Sequence, residues 1–307
     1  MLPNFFIVGA PKAGTDELYY DLDQHPEIYM SPLKEPNYFA EDIRSQYMHP
    51  SLRQRAAEDE ASLRRYLDEG ASRKRFGGIV TELSDYQRLF SRVKGEKAVG
   101  DGSVIYLWSK TAAPRIASAV PQARIIIVLM DPAERAFHQY LKSISDGTVR
   151  HSFRKHLNAA MQTQGPELSV YHPFLALGNY FVQVGRYKSC FPRDQLHITL
   201  YEDLQANRGA WFARVLSFLD VDSSFIPQPV EVPSKPHVPR FGGTKGLKKI
   251  AKAILPPRFR TSVKHLAYRS VLPQLKDEDR AVLVDYYRDD ILRLQDLIGR
   301  DLSAWLR

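Results

Sequence analysis

The apolar residues of this chain fall into short runs, each long enough for one β-strand. Four runs stand out, and they cover residues 4–8, 97–103, 123–130 and 196–200. The third run, ARIIIVLM, is continuously apolar, as is typical of a strand covered on both faces of a parallel sheet. The pattern therefore predicts a buried sheet whose strands are widely separated in the sequence.

Apolar residues with helical spacing separate these strands. They occur around Leu18 and Leu22, and then over residues 112–119, 133–145, 180–190 and 211–219. The helix over 133–145 follows an Asp-Pro pair, which marks a helix start because proline suits the first turn. Strands that alternate with helices predict an α/β fold with a central parallel sheet flanked by helices.

Two stretches interrupt the alternation. Residues 43–77 are charged and compatible with helix, whereas residues 227–246 are rich in proline and glycine and show no periodicity. We predict a helical insertion in the first stretch and a loop in the second. A chain of 307 residues is long enough for one domain or two, and the pattern shows no internal repeat and no clear boundary.

The composition narrows the class of protein. With 44% hydrophobic and 25% charged residues, the chain is an ordinary globular sequence and not a disordered or collagen-like one. The single cysteine, Cys190, cannot form an internal disulfide, and the paired cysteines of zinc or iron–sulfur sites are missing. No run approaches the roughly 20 apolar residues of a membrane span, and residues 5–8 are too few for a signal peptide. We expect a cytoplasmic protein without stable membrane insertion.

The positive charge of the chain is concentrated in one segment. The net charge of +8 results from 43 Lys and Arg against 35 Asp and Glu. Residues 235–275 contain ten of the basic residues and no acidic one, so the rest of the chain is nearly neutral. Two interpretations stay open: a solvated basic surface, or a surface that attracts an anion.

The sequence GAPKAGT, residues 9–15, joins the first predicted strand to the first predicted helix. Such a junction attracts anions through backbone N–H groups and the positive end of the helix dipole, and Lys12 adds a full charge. Lys12 precedes the second glycine, unlike the lysine of the ATP-binding loop G-x-x-x-x-G-K-[ST], so a magnesium-dependent kinase is a poor fit. The residues alone allow a phosphate-binding loop or a tight turn with a solvated lysine.

Several blocks of the sequence together resemble the sulfotransferase family. They are VGAPKAGTDELYYDLDQHPEIYMSPLKEPNYF, VGDGSVIYL, IIVLMDPAERAFHQY, LHITLYEDL and VLSFLDV, and they extend over most of the chain. The resemblance implies a single α/β domain over residues 1–307 with a P-loop-like fold. It also implies transfer of a sulfuryl group from 3′-phosphoadenosine 5′-phosphosulfate (PAPS), without a metal, and release of 3′-phosphoadenosine 5′-phosphate (PAP).

The resemblance assigns three groups of donor-binding residues. The loop over residues 11–16 would bind the 5′-phosphosulfate end of PAPS, and Met130 and His138 stand where the family binds its 3′-phosphate. A basic lid over residues 233–252 would close over the nucleotide. The family commonly has arginine at Met130, serine at His138, and serine or threonine at Asp16, so three expected ligands are replaced. The residues assigned to the loop are Pro11, Lys12, Ala13, Gly14, Thr15 and Asp16, and those assigned to the lid are Arg240, Lys245 and Gly246.

The same resemblance names the catalytic residues. Lys12 is expected to stabilise the departing phosphate, and Glu35 in KEPNYF is expected to be the base that acts on the acceptor hydroxyl. By residue type alone, Glu35 would be a solvated loop carboxylate. Asn37, Asp101 and Ser103 are expected to face the acceptor, with a strand-end cap as an equal alternative for Asp101 and Ser103.

These observations predict a sulfotransferase for a hydroxyl of a small molecule, glycoside or lipid, including a role in secondary metabolism. The three replaced ligands keep a second class open, namely a repurposed or non-catalytic protein of the same fold with an altered donor. Nucleic-acid binding is not expected, because no motif for it is present. Assembly into a homo-oligomer stays open.

Overall fold

The computed structural model describes residues 1–47, 50–163, 168–169, 173–230 and 272–307. Arg240, Lys245 and Gly246, together with the predicted lid over 233–252, lie outside the described residues. The strands are β1 (Phe5–Gly9), β2 (Ile28–Met30), β3 (Leu33–Lys34), β4 (Arg75–Phe76), β5 (Ala98–Gly102), β6 (Arg124–Leu129) and β7 (Leu196–Leu200).

The main sheet consists of five parallel strands in the order β2-β5-β1-β6-β7. In the middle strand, Phe6 lies beside Asp101 of β5 and Ile125 of β6. The chain leads from β1 to β2 on one side of the sheet and later from β5 to β6 on the other side of β1. The carboxyl end of β1 is therefore at a topological switch point, where sheets of this kind form their ligand clefts. The predicted central parallel sheet is confirmed, and the loop after β1 opens at its cleft.

Burial on both faces explains why the strand sequences are continuously apolar. The residues from Ile125 to Leu129 in β6 are fully buried, and so are Phe6, Ile7 and Val8 in β1. Removing this much apolar surface from water is the main force that holds the sheet between its helices. The four predicted strands are all present, shifted by at most one or two residues at their ends.

Helices flank the sheet on its two faces, and the longest, Asp277–Ile298, packs against two others, Pro132–Asp146 and Tyr180–Cys190. No helix in the described ranges combines the length and apolar composition that crossing a membrane needs. The helices are α1 (Thr15–Leu22), α2 (Pro50–Asp68), α3 (Leu83–Arg88), α4 (Ala112–Ala119), α5 (Pro132–Asp146), α6 (Phe153–Gln162), α7 (Tyr180–Cys190), α8 (Tyr201–Ala206), α9 (Arg208–Leu219) and α10 (Asp277–Ile298), with 3-10 turns at Ser45–Tyr47, Val104–Tyr106, Ala176–Gly178, Arg193–Gln195 and Ser303–Leu306.

The predicted insertion over residues 43–77 contains α2 and β4. Strand β4 pairs in parallel with β3, so the end of the insertion is attached next to the KEPNYF segment. The N–H of Gly77 donates a hydrogen bond of 2.8 Å to the carbonyl of Lys34. The insertion therefore helps to build the cleft edge.

Candidate active site

The loop after β1 has the geometry of an anion-binding turn. Gly14, immediately before α1, has a φ of 78°, which glycine adopts without a steric penalty. A Cβ atom at Gly14 would lie 2.8 Å from the ring of Tyr201, so the space also requires glycine. Among the described residues no side chain caps the start of α1, and its first N–H groups are the donors that a phosphate would meet.

Lys12 lies half-buried in this loop, whose Ala13 and Thr15 are buried. Burial lowers the pKa of the Lys12 ammonium, while the carboxylates of Asp16 and Glu35 oppose that change. Lys142 of α5 also acts on Lys12 and lowers its pKa. Lys12 therefore lies within electrostatic reach of both the predicted base and helix α5.

Glu35 follows β3 at the edge of the main sheet. Its backbone has a φ of 64°, and its N–H donates a hydrogen bond of 3.0 Å to the carbonyl of Gly102, at the end of β5. Its Oε1 accepts a hydrogen bond of 3.1 Å from Nζ of Lys34, and its side chain is 19% exposed. The carboxylate is thus held by the protein and still in contact with solvent.

Lys34 is a residue of this site that the sequence patterns do not single out. Its side chain is almost fully buried, and its Nζ lies 2.6 Å from Oδ1 of Asp16. Burial alone would lower the pKa of Lys34, but the charges of Glu35 and Asp16 outweigh burial and raise it. Asp16 therefore neutralises a buried lysine. The sequence feature that could have identified Lys34 is its position directly before the expected base, Glu35.

Asn37 supports the backbone around Glu35. Its Nδ2 donates hydrogen bonds to the carbonyls of Glu35 at 3.0 Å and Gly78 at 2.8 Å, and its own N–H donates to Oγ of Ser103 at 3.1 Å. Its φ of 56° lies in the left-handed region, which asparagine tolerates better than most residues. These bonds give Asn37 a role in loop geometry, and its contact with an acceptor stays a prediction.

Asp101 and Ser103 are fully buried below this loop. The carboxylate of Asp101 accepts hydrogen bonds from Tyr86 at 2.7 Å, Tyr106 at 3.0 Å and Ser103 at 2.7 Å. Burial raises the pKa of Asp101 to about 6, although these three hydrogen bonds act in the opposite direction. The contacts match the strand-end alternative, in which the two residues support the loop from inside.

Met130 follows β6 directly and is 4% exposed, so the position of the expected arginine is apolar. The next residue, Asp131, caps α5 by accepting a hydrogen bond of 2.8 Å from the N–H of Ala133. The other carboxylate oxygen of Asp131 lies 2.6 Å from the guanidinium of Arg280, on α10. The sequence gives no sign that Arg280 comes close to Asp131.

His138 lies half-buried on α5. Burial lowers the pKa of its imidazole, and the nearby charge of Lys12 lowers it further. One turn later, Lys142 pairs with Asp146 at 2.6 Å.

These residues form two groups in the cleft. We call Lys12, Asp16, Lys34 and Glu35 the transfer end of the cleft, and Met130, His138 and Lys142 the recognition end.

Comparisons with known proteins agree with this geometry. The model of the sulfotransferase family matches residues 3–225. The chain belongs to this family. The chain resembles the crystal structure of a sulfotransferase from Alicyclobacillus acidocaldarius with a TM-score of 0.74 and 28% sequence identity, over the full length of both chains. The expected P-loop-like fold and the resemblance to the family are therefore confirmed.

Two human proteins illustrate the relatives of this sulfotransferase. Carbohydrate sulfotransferase 15 is 26% identical over 254 residues, which cover 72% of this chain and 44% of that protein. Bifunctional heparan sulfate N-deacetylase/N-sulfotransferase 2 is 26% identical over 313 residues, which cover all of this chain and 31% of that protein. The chain therefore spans less than half the length of either relative.

Proposed function

We propose that this sulfotransferase takes a sulfuryl group from PAPS and transfers it to a hydroxyl. The observation that carries the proposal is that Glu35 is hydrogen-bonded to Gly102 at the end of β5, the strand beside β1, so that its charge acts on Lys12 in the loop after β1. Sulfuryl transfer needs positive charge where the phosphate departs and a base where the acceptor hydroxyl loses its proton. Lys12 and Glu35 supply these two groups at one end of the sheet.

Each group has a definite task in this proposal. Lys12 and the first N–H groups of α1 would bind the 5′-phosphate and stabilise the charge that grows as its oxygen separates from sulfur. Glu35 would accept the proton of the acceptor hydroxyl as that oxygen bonds to sulfur. Since Lys34 binds Oε1 of Glu35, we assign the proton to Oε2. The protein supplies the positive charge, so the proposal includes no metal.

For the acceptor, we propose a hydroxyl of a glycoside, a lipid or another small molecule, with saccharides as the first class to test. The support for saccharides is the naming of the two human relatives, one for carbohydrate and one for heparan sulfate. The second name describes transfer to nitrogen, so the hydroxyl is proposed from the family resemblance. A cytoplasmic location and the absence of nucleic-acid binding are part of the same proposal.

A second candidate function is sulfuryl transfer from, or binding of, a donor that has no 3′-phosphate. The observation that favours it is Met130, because a buried thioether has no N–H or O–H group to donate to a phosphate. His138 and Lys142, on the helix that follows Met130, are described residues that could take over this contact. The two candidates share the transfer end and differ at the recognition end.

Replacing Glu35 by glutamine tests the proposed function directly. Glu35→Gln keeps the shape of the side chain but removes its basicity, so we expect turnover of PAPS to fall about 10²–10⁴-fold. Calorimetric titration with PAP should give the wild-type affinity, because the 5′-phosphate is assigned to the loop after β1. Glu41→Gln is the control, since Glu41 is 56% exposed and pairs with Arg115.

Two results would contradict this assignment. Wild-type turnover in Glu35→Gln would show that another group accepts the proton. A loss of PAP affinity equal to the loss of rate would show that Glu35 acts on the donor site or on folding. Assays on a saccharide, a lipid and an aryl glycoside, each with the same donor, would separate the acceptor classes.

A further inference from the structure

The ammonium of Lys34 lies between two carboxylates that come from different parts of the fold. Nζ of Lys34 is 2.6 Å from Oδ1 of Asp16 in the first turn of α1, and 3.1 Å from Oε1 of Glu35. The first contact joins β3 to the phosphate-loop helix, and the second joins Lys34 to the proposed base. One buried cation therefore connects the donor side and the acceptor side of the cleft.

The surroundings of Lys34 allow its ammonium little freedom. The side chain is 2% exposed, and Nζ lies 4.7 Å from the ring centre of Phe76 and 5.9 Å from that of Tyr19. A buried charge is tolerated only when opposite charges and hydrogen bonds compensate for lost hydration. Asp16 and Glu35 provide that compensation, and aromatic faces add a weaker attraction.

The backbone of Glu35 is fixed independently of this ion pair. Gly102 accepts the hydrogen bond from its N–H, and Asn37 donates to its carbonyl. The backbone contacts leave the side-chain torsions undetermined, and a glutamate side chain has three of them. The contact with Lys34 at Oε1 is the described interaction that holds the carboxylate itself.

We infer that Lys34 is a positioning residue for the base: Asp16 holds the ammonium, and the ammonium fixes the carboxylate of Glu35 so that Oε2 meets the acceptor hydroxyl. The inference rests on the proposed role of Glu35. It also explains Asp16, which stands where the family commonly has serine or threonine. The negative charge of Asp16 is used to retain Lys34 and is thereby neutralised beside the phosphate loop.

Lys34→Met is the first test, because methionine keeps a long unbranched side chain without the charge. We expect kcat to fall about 10- to 100-fold, the order of the cost of misplacing a reacting group by about 1 Å. The affinity for PAP should fall by a smaller factor than kcat does, because Asp16 is then no longer neutralised beside the phosphate loop. The acid limb of the pH profile of kcat should move to higher pH, because the variant removes a positive charge that lies 3.1 Å from Oε1 of the proposed base.

The other charges around Glu35 are unchanged in this variant. Lys12 in the phosphate loop and Asp101 at the end of β5 both interact with Glu35, and both stay in place. The matched control is Lys74→Met. Nζ of Lys74 pairs with Asp23 and lies 5.2 Å from the ring centre of Tyr19, the ring that Lys34 also faces. The variant therefore removes a second lysine–aspartate pair beside Tyr19. It should show wild-type kcat and pH profile.

Asp16→Asn keeps the inference testable if Lys34→Met does not fold. The asparagine is nearly isosteric and leaves Lys34 with one carboxylate, so we expect the same direction of change in kcat, with a smaller factor. In a Glu35→Gln background, Lys34→Met should cause no further loss of kcat, because no base is left to position. A further loss of tenfold or more in that background would contradict the inference.

The outcomes separate the positioning role from the proposed function. Wild-type kcat and pH profile in a folded Lys34→Met or Asp16→Asn variant would overturn the positioning role if Glu35→Gln is inactive. Wild-type turnover in Glu35→Gln would overturn the assignment of the base itself. A loss of kcat that exceeds the loss of PAP affinity, together with a shifted acid limb, in Lys34→Met would support both.

Discussion

The two ends of the cleft differ in how they use charge. At the transfer end, Lys12, Asp16, Lys34 and Glu35 form a compact set in which each charge has an opposite neighbour. At the recognition end, Met130 is apolar and His138 is the nearest replacement for the expected ligands. Sulfuryl transfer requires charges at the atoms that react. The 3′-phosphate of the donor does not react, so basic residues from several different elements can bind it. Under the proposed function, the transfer end would supply the charges that the reaction needs, and the recognition end would bind the donor through residues other than those expected.

The largest effect is expected from Lys12→Ala, which removes the lysine charge of the loop after β1. Turnover should fall about 10³-fold, the order found when one electrostatic donor to a developing charge is removed. Thermal unfolding should be almost unchanged, because Lys12 is half-buried in a loop and does not contribute to the core. Lys110→Ala, at an exposed lysine, is the control. Wild-type turnover in Lys12→Ala would refute the different roles of the two ends.

A smaller effect is expected at the recognition end, from Met130→Arg. The new guanidinium should raise the affinity for PAP relative to adenosine 5′-phosphate by about 10- to 100-fold, since a charge-assisted hydrogen bond contributes about 1.5–3 kcal/mol. Calorimetric titration of both nucleotides measures this preference. Met161→Arg, which places the same charge at an exposed methionine, controls for general attraction. An unchanged preference would mean that the 3′-phosphate does not approach residue 130.

His138→Ala belongs to the same titration series. Because burial and Lys12 lower the pKa of His138, its imidazole loses its proton more readily than an exposed histidine does. Binding of a phosphate beside it favours the protonated form, so PAP should bind more tightly as the pH falls through the histidine range. His138→Ala should remove this pH dependence. A strong, pH-independent preference for PAP that survives the substitution would assign the contact to other residues.

The smallest effect on the reaction is expected from Asp101→Asn, below the transfer end. Since burial raises the pKa of Asp101 to about 6 from 3.8, its contribution to stability is complete below about pH 4 and is lost as the pH rises through 6. The loss amounts to about 2–3 kcal/mol, at about 1.4 kcal/mol per pKa unit. In Asp101→Asn this part of the pH dependence should vanish from urea unfolding curves, and turnover should change little.

The control for this measurement is Asp194→Asn, because Asp194 is exposed in a 3-10 turn. The difference in unfolding free energy between wild type and Asp101→Asn should change between pH 4 and 7, while the difference for Asp194→Asn stays constant. The same difference at every pH for Asp101→Asn would show that its carboxylate titrates equally in the folded and unfolded chains.

Long apolar runs made the main strands predictable. Strand β6 corresponds to an apolar run, β7 alternates apolar and polar residues in LHITL, and helix α4 begins and ends where the spacing predicts. Strands β3 and β4 are only two residues long and include Lys34 and Arg75, so neither alternation nor an apolar run marks them. Their pairing depends on a contact between segments about 40 residues apart, which local patterns do not contain.

The same limit applies to the candidate site. The loop motif marks Lys12 as a candidate, whereas Glu35 is a candidate only through the family resemblance, because its residue type alone indicates a solvated carboxylate. The partnership between Asp16 and Lys34 depends on the β3–β4 sheet, which brings Lys34 against α1, and the approach of Arg280 to Asp131 depends on the packing of α10. The buried state of Asp101 likewise follows from Tyr86 and Tyr106, which converge from separate elements.

The central place of β1 in the sheet has a consequence for the order in which the protein forms. Phe5 pairs with Gly100 on one side and with Arg124 on the other, although β1 leaves the ribosome before both of these strands. Such long-range pairing is slow, because chain closure must precede the stabilising contacts. During synthesis, the loop after β1 therefore gains its supporting strands only after β6 has emerged, so that shorter nascent chains lack the supports on which the proposed nucleotide site depends.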